Sequence, residues 1–241
     1  MNIKFLPALL FIVLAFKPLN PIVEKNIEVE KKVINFKKES LSTAEKCELF
    51  YNEIQPGKFS LPALSSFYSA FLGYNTLMNE GKISKNLLTI IDFTLPSTQK
   101  RLWVIDMVTK KVLMNTLVAH GRNSGENYAT NFSNLAESYK SSLGFYKTSE
   151  TYIGKHGYSL RLDGLEKGIN DNARNRAVVM HGADYVSQDF IKAQGRLGRS
   201  QGCPAVSYAD HKELINLIKN ESCLFIYHNS VAYKNKSKLL G

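Results

Sequence analysis

The sequence predicts an α+β, strand-rich fold, a mixed domain preceded by a small N-terminal helical segment. Two observations carry that prediction. Apolar residues recur at helical spacing before about residue 82, whereas from about Leu87 they fall into short runs separated by turns. The chain has 241 residues, 44% hydrophobic and 22% charged, enough to bury one sizeable core with a small extension and unlike a disordered polymer.

The elements follow in order. Lys4 precedes an apolar run from Phe5 to Phe16. Those residues are too few to span a bilayer, which needs about 20, but they suit the core of an export leader over residues 1–18. An uncut leader would instead act as an N-terminal membrane anchor, because Ala15-Phe16-Lys17-Pro18 is a poor cleavage site. Residues 19–40 alternate Lys and Glu and read as a polar linker. The helical segment is 41–82. Ser42-Thr43-Ala44-Glu45 has the serine-to-glutamate spacing that opens a helix, and Pro56-Gly57 closes it. A second helix is predicted from Leu61-Pro62, with Leu64, Phe67, Tyr68, Phe71 and Leu72 on one packing stripe.

The main domain is placed at 83–230. Strands are predicted at 88–93, 102–108 and 112–118, the last two joined by a turn at Thr109-Lys110-Lys111. Further strands fall near 143–152, 158–163, 175–180 and 223–228. A late helix is capped by Ser207 to Asp210, with Leu214, Leu217 and Ile218 facing inward. Residues 231–241, with Lys234, Lys236 and Lys238, read as a solvated basic tail.

The net charge of +10 bears on partners and solubility, not on fold. It suits an anionic envelope polymer as well as it suits simple solubility. No dense Lys/Arg tract with interleaved aromatics occurs, so nucleic acid is not an expected partner. Cys47, Cys203 and Cys223 make an odd count, so an exported chain would keep at least one free thiol. Cys47 and Cys223 either pair or remain buried thiols. The apolar run Cys223-Leu224-Phe225-Ile226-Tyr227 favours the second.

Cys203 is the free thiol with a chemical context. It stands in Arg199-Ser200-Gln201-Gly202-Cys203-Pro204, downstream of Met180-His181-Gly182. A thiol is only a few per cent thiolate at neutral pH, and the thiolate is the attacking species, so a cysteine nucleophile needs a base. Arg176-Ala177-Val178-Val179-Met180 reads as a buried strand that delivers His181 to its end. Gly202, without a side chain, lets backbone N–H groups approach a developing oxyanion.

His-Gly, seventeen residues, then Ser-x-Gly-Cys-Pro resembles the YkuD-type L,D-transpeptidases of bacterial cell walls, in particular the murein L,D-transpeptidase catalytic-domain branch. Ile90-Ile91-Asp92-Phe93, Val118 to Gly125, Phe132-Ser133-Asn134, Ser142 to Tyr146, Lys155-His156-Gly157 and Gly195 to Ser200 extend the likeness over roughly 60–228. The resemblance implies a YkuD-like mixed β-sandwich/barrel catalytic domain, located in the periplasm or cell envelope. It makes Cys203 the nucleophile and His181 the base, with the backbone oxygen of Gly182 orienting the imidazole. Gly202 and Cys203 would supply oxyanion amides, and Ser200 would join the catalytic group or hold its loop. Gln201, a further candidate on the substrate side, departs from the family, whose members usually carry an aromatic residue or histidine there.

Around that core, Arg196 and Arg199 are candidates to grip a carboxylate of a peptidoglycan peptide stem. His120, Arg122, Asn123, Ser124 and His156 are candidates to line or shape the cleft. His211 and His228 read as packing or surface residues. No cofactor is expected, and the isolated His and Cys residues lack the paired spacing of a zinc site. The expected activity is L,D-transpeptidation through a thioester. The alternatives are an L,D-carboxypeptidase, in which water takes the acyl group, and a wall-binding protein without catalysis.

Overall fold

A computed structural model describes residues 41–240, so the leader and linker lie outside the described residues. Helix α1 (Thr43–Asn52) begins directly after Ser42, with Glu45 in its first turn, where an acidic side chain complements the helix dipole. It ends ahead of Pro56-Gly57. Helix α2 (Leu64–Asn79) starts two residues after Pro62, with Ala63 extended at φ −59° and ψ 142°. Its buried stripe is Phe67, Ala70, Phe71, Tyr74 and Leu77 rather than one reaching back to Leu64, which is exposed.

Eight strands follow: β1 (Leu87–Asp92), β2 (Leu102–Asp106), β3 (Lys111–Thr116), β4 (Gly144–Gly154), β5 (Gly157–Gly164), β6 (Val179–Gly182), β7 (Ala205–Val206) and β8 (Cys223–Tyr227). Between and after them lie the helices α3 (Gln188–Gln194), α4 (His211–Ile218) and α5 (Val231–Lys236). The sheet order is β3-β2-β1-β8-β4-β5-β6-β7. Pairs β1·β8 and β6·β7 are parallel and the others antiparallel. An antiparallel bridge from Ala119 to Ala205 links the chain beyond β3 to β7. The two sheet edges therefore meet, giving a nearly closed barrel, strand-rich as the sequence predicts and of the kind the family resemblance implies.

Local chemistry explains the departures from the predicted boundaries. Strand β2 stops at Asp106 because its Oδ1 accepts from Val108 N at 2.8 Å and Thr109 N at 3.0 Å, an Asx turn that reverses the chain early. Strand β6 begins at Val179, not 175. The preceding residues wind into turns, with Arg176 N on Asn172 O and Val178 N on Ala173 O. In α4 the inward residues are Leu214, Ile215 and Ile218; Leu217 is only partly covered.

The basic C-terminal segment differs from a free tail. Its lysines are exposed, but α5 docks through Tyr233 and Ser237, whose hydroxyls donate to the buried Glu166 carboxylate at 3.0 and 2.5 Å. The core joins α2 to the sheet, with Phe145 stacked on Phe225 at 4.1 Å between centroids. A second cluster, Leu117, Ala119, Ala183, Val186, Leu197 and Ala205, lies apart from it and involves the segments carrying the candidate site. Cys47 and Cys223 are buried free thiols.

Candidate active site

His181 is held from both sides. In the sheet it sits opposite Ser159 of β5 and Ala205 of β7. Its Nδ1 lies 2.9 Å from Gly182 O. A carbonyl only accepts, so Nδ1 carries the hydrogen and Nε2 keeps its lone pair. Burial first, then the neighbouring His156 and His211, holds its pKa below the ordinary histidine value against the opposing Gly182 bond. The neutral ring is thus the resting form near neutral pH. Gly182 has a second role: a Cβ there would meet Tyr208 Cδ1 at 2.5 Å and His211 Cγ at 3.0 Å.

The cysteine loop is shaped by Ser200 and Gly202. Ser200 Oγ donates to Cys203 O at 2.6 Å and accepts from Gly202 N at 3.0 Å. Gly202 adopts φ +122°, and a Cβ would stand 2.8 Å from Lys140 O. Ser200 thus holds the loop, one of the two roles expected of it, and the Gly202 amide, expected to face an oxyanion, donates to Ser200 Oγ in this conformation. The Cys203 amide donates to no group among the described residues.

Cys203 Sγ accepts from Val179 N at 3.4 Å and donates to Ala177 O at 3.7 Å. Enclosure raises its pKa, opposed by the Val179 N–H and the Arg176 charge. Thiol and imidazole line the same cavity of about 580 Å³, although no hydrogen bond joins them among the described residues. His156, Arg199, Ser200 and Gln201 share that lining, with His156 stacked on His181.

His120, Arg122, Asn123, Ser124 and Arg196 are not part of the cavity lining. His120 is fully buried, with Nδ1 accepting from Arg101 Nη2 at 2.8 Å and Nε2 donating to Gly125 O at 3.2 Å. Burial, then the Arg101 charge, pushes its pKa down to about 4. Arg101 is itself buried, pushed down to about 9 by desolvation. Ser124 is buried, its Oγ accepting from Ser141 N. Asn123 donates to Ser138 O, and Arg122 lies over the Tyr139 ring. Arg196 and Arg199, expected to hold a substrate carboxylate, are paired with Glu126 at 2.9 and 2.6 Å. Arg199 also donates to Arg122 O and Gly125 O, which ties it to the 122–126 loop at the edge of the cavity it helps to line.

Sequence reasoning missed the other half of the lining. Arg176 donates to Ser133 O, Ser142 Oγ, Ser138 Oγ and Lys140 O at 2.8, 2.5, 3.2 and 2.7 Å. Glu137, Tyr139 and Ala177, all in the lining, have φ of +57°, +53° and +53°. Such conformations cost free energy in residues with a Cβ and cluster at functional sites. A charged residue opening the apolar run 177–180 was the available signal for Arg176; nothing local marked the strained loop. Among the described residues, no group of three or more His, Cys, Asp or Glu is placed to hold a metal. Nor is any described helix long and apolar enough to cross a membrane.

A family model described as "L,D-transpeptidase catalytic domain" matches residues 62–227. Solved structures similar to the chain include an L,D-transpeptidase from Mycobacterium smegmatis, at 12% identity over 59% of each chain and a TM-score of 0.37. A mutant Enterococcus faecium L,D-transpeptidase matches at 14% identity, over 59% of this chain and 50% of that one, with a TM-score of 0.35. The helical cell shape determining protein Pgp2 from Campylobacter jejuni matches at 11% identity, over 66% and 57%, with a TM-score of 0.40. This chain therefore spans half to three-fifths of the length of these structures. No curated protein matches the sequence.

Proposed function

Because the chain belongs to the L,D-transpeptidase catalytic-domain family, whose members modify peptidoglycan, we propose that it forms wall cross-links through a thioester on Cys203. The observation that carries this reading is one cavity lined by both Cys203 and His181, with His181 Nδ1 held at Gly182 O so that Nε2 is left for the thiol proton.

The steps balance as two acyl transfers. The thiol turns from Ala177 O toward His181 Nε2, which takes its proton. Catalytic hydrogen bonds commonly tighten only when substrate is present. Sγ then bonds to the carbonyl carbon of the third residue of a tetrapeptide stem, a diacid, and the Cys203 N–H is placed to donate to the developing oxyanion. The tetrahedral intermediate collapses by breaking the C–N bond to the terminal D-alanine. The imidazolium gives its proton to the departing amine. The amine of a neighbouring stem attacks the thioester, loses a proton to His181, and the thiol is regenerated. The bond energy passes through the thioester, so the cycle draws on no nucleotide. Stem peptides are the proposed partner, and an exported, envelope-facing location follows from that substrate.

Incubation with tetrapeptide stems followed by intact-mass analysis tests this directly. Wild-type protein should gain one acyl group with loss of D-alanine, and Cys203→Ala should gain none. Turnover of stems by Cys203→Ala would overturn the assignment, and tripeptides without cross-linked dimers would identify water as the acceptor.

A further inference from the structure

We infer that His156 is a positioning residue for His181: its ring, stacked on the His181 imidazole, keeps Nε2 directed into the cavity. The inference rests on reading His181 as the base. The two ring centroids are 4.3 Å apart and the planes differ by 20°, a face-to-face contact that resists tilting of either ring.

That contact supplies what His181 otherwise lacks. The ring is tethered by one in-plane hydrogen bond, from Nδ1–H to Gly182 O at 2.9 Å. Such a bond fixes the tautomer but leaves the ring able to tip about the bond. A flat group against one face removes that freedom. On another side of the site, Tyr208 and His211 pack against Gly182. His156 is itself exposed, yet His181 keeps only 2% of its surface accessible.

The chain builds His156 for this duty. It sits at the tip of the β4–β5 hairpin, between Gly154 and Gly157, which pair across the turn. Gly157 has φ +73°, with open space where a Cβ would be, so the turn itself needs the glycine. The same β5 strand places Ser159 beside His181, so one hairpin supplies both the backbone neighbour and the stacked ring. The His156 nitrogens make no hydrogen bond among the described residues. Its specific contact is therefore the stack, and a flat ring without nitrogens should replace it.

The test measures D-alanine release from tetrapeptide stems by the full chain, with His156→Ala and His156→Phe beside wild type. Melting temperatures and Cys203 adduct formation are followed in parallel. The expected result is a fall in kcat of roughly 10- to 100-fold for His156→Ala, as for other small misplacements of a catalytic group. KM should stay near wild type, melting should be unchanged, and His156→Phe should recover most of the rate. Three results overturn the inference. His156→Ala could keep the wild-type rate, His156→Phe could fail with a raised KM, or both variants could melt early in proportion to their lost rate. Wild type separates this inference from its premise. No Cys203 adduct in wild type sinks the thioester reading and this inference with it. An adduct in wild type that forms as fast in His156→Ala sinks the positioning role alone.

Discussion

Replacing Arg176 with Gln probes the link between the cavity wall and the cysteine. The guanidinium donates to the Ser133 and Lys140 carbonyls and to the Ser142 and Ser138 hydroxyls. It also favours the Cys203 thiolate against the enclosure that opposes it. Hydrogen bonds from a charged donor contribute about 1.5–3 kcal/mol each. Arg176 is half-buried, Ser138 is near solvent, and a glutamine amide keeps part of the contact. The net loss should therefore be about 3 kcal/mol, equivalent to roughly 6–12 °C in Tm for a domain of this size. The second readout is chemical. Without the cation, the thiol pKa should rise further, so alkylation of Cys203 by iodoacetamide should need higher pH than in wild type. Cys47, pushed up to about 12 by burial, and Cys223, buried completely, stay silent in the folded protein, so intact mass after brief labelling reports Cys203. An unchanged Tm together with an unchanged labelling profile would refute the assignment of Arg176 to both tasks.

Three further outcomes follow from the geometry. Gly202→Ala must accommodate a Cβ 2.8 Å from Lys140 O at φ +122°, a strain of order 1–3 kcal/mol. Acyl-enzyme formation should drop well beyond what the loss in Tm explains, and a fully active variant would show that the loop tolerates other shapes. Gly73→Ala would drive a methyl to 2.1 Å from Phe145 Cζ, against a ring already stacked on Phe225. Overpacking of about 1–3 kcal/mol should outweigh the helix gain of about 0.5–1 kcal/mol; stabilisation in urea unfolding would contradict the close approach of α2 to β4.

Glu166 gives a pH signature. Burial raises its carboxyl pKa even though Ser237, the Phe145 amide and Tyr233 donate to it. An acid whose folded pKa is raised holds a proton in the native state that the unfolded chain has released. Its contribution to stability is therefore fully present below the unfolded value of about 4.3 and lost as pH rises through the folded pKa. Calorimetry should show Tm declining over that window in wild type relative to Glu166→Gln. Identical slopes would mean that Glu166 is ionised throughout.

How much of this was legible before folding depends on the range of the interaction responsible. Short apolar runs bounded by turn residues, such as Leu88 to Asp92 and Cys223 to Tyr227, specify strands, because run length and its punctuation are local. His181-Gly182 and Ser200-x-Gly202-Cys203 mark the chemistry for the same reason: base, backbone oxygen and loop-shaping residues are near neighbours in the chain. His120 is a candidate to line or shape the cleft, and Arg196 and Arg199 to hold a carboxylate, because polar residues in glycine-rich loops carry function as often as they carry shape. Their partners in the fold lie far away in sequence, Arg101 for His120 and Glu126 for both arginines, and no local pattern announces them.

The sequence by itself determined a succession of short strands after a helical segment, and a thiol and an imidazole in a recognisable setting, since both are written in short-range pattern. Only the tertiary structure decided that His156 lies on His181, that Arg176 ties the 133–142 loop beside Cys203, and that the thiol rests against Ala177 O. Those contacts join segments about 25 or more residues apart, and closing such loops is rewarded by the packing of the whole core rather than by any propensity of the residues that meet.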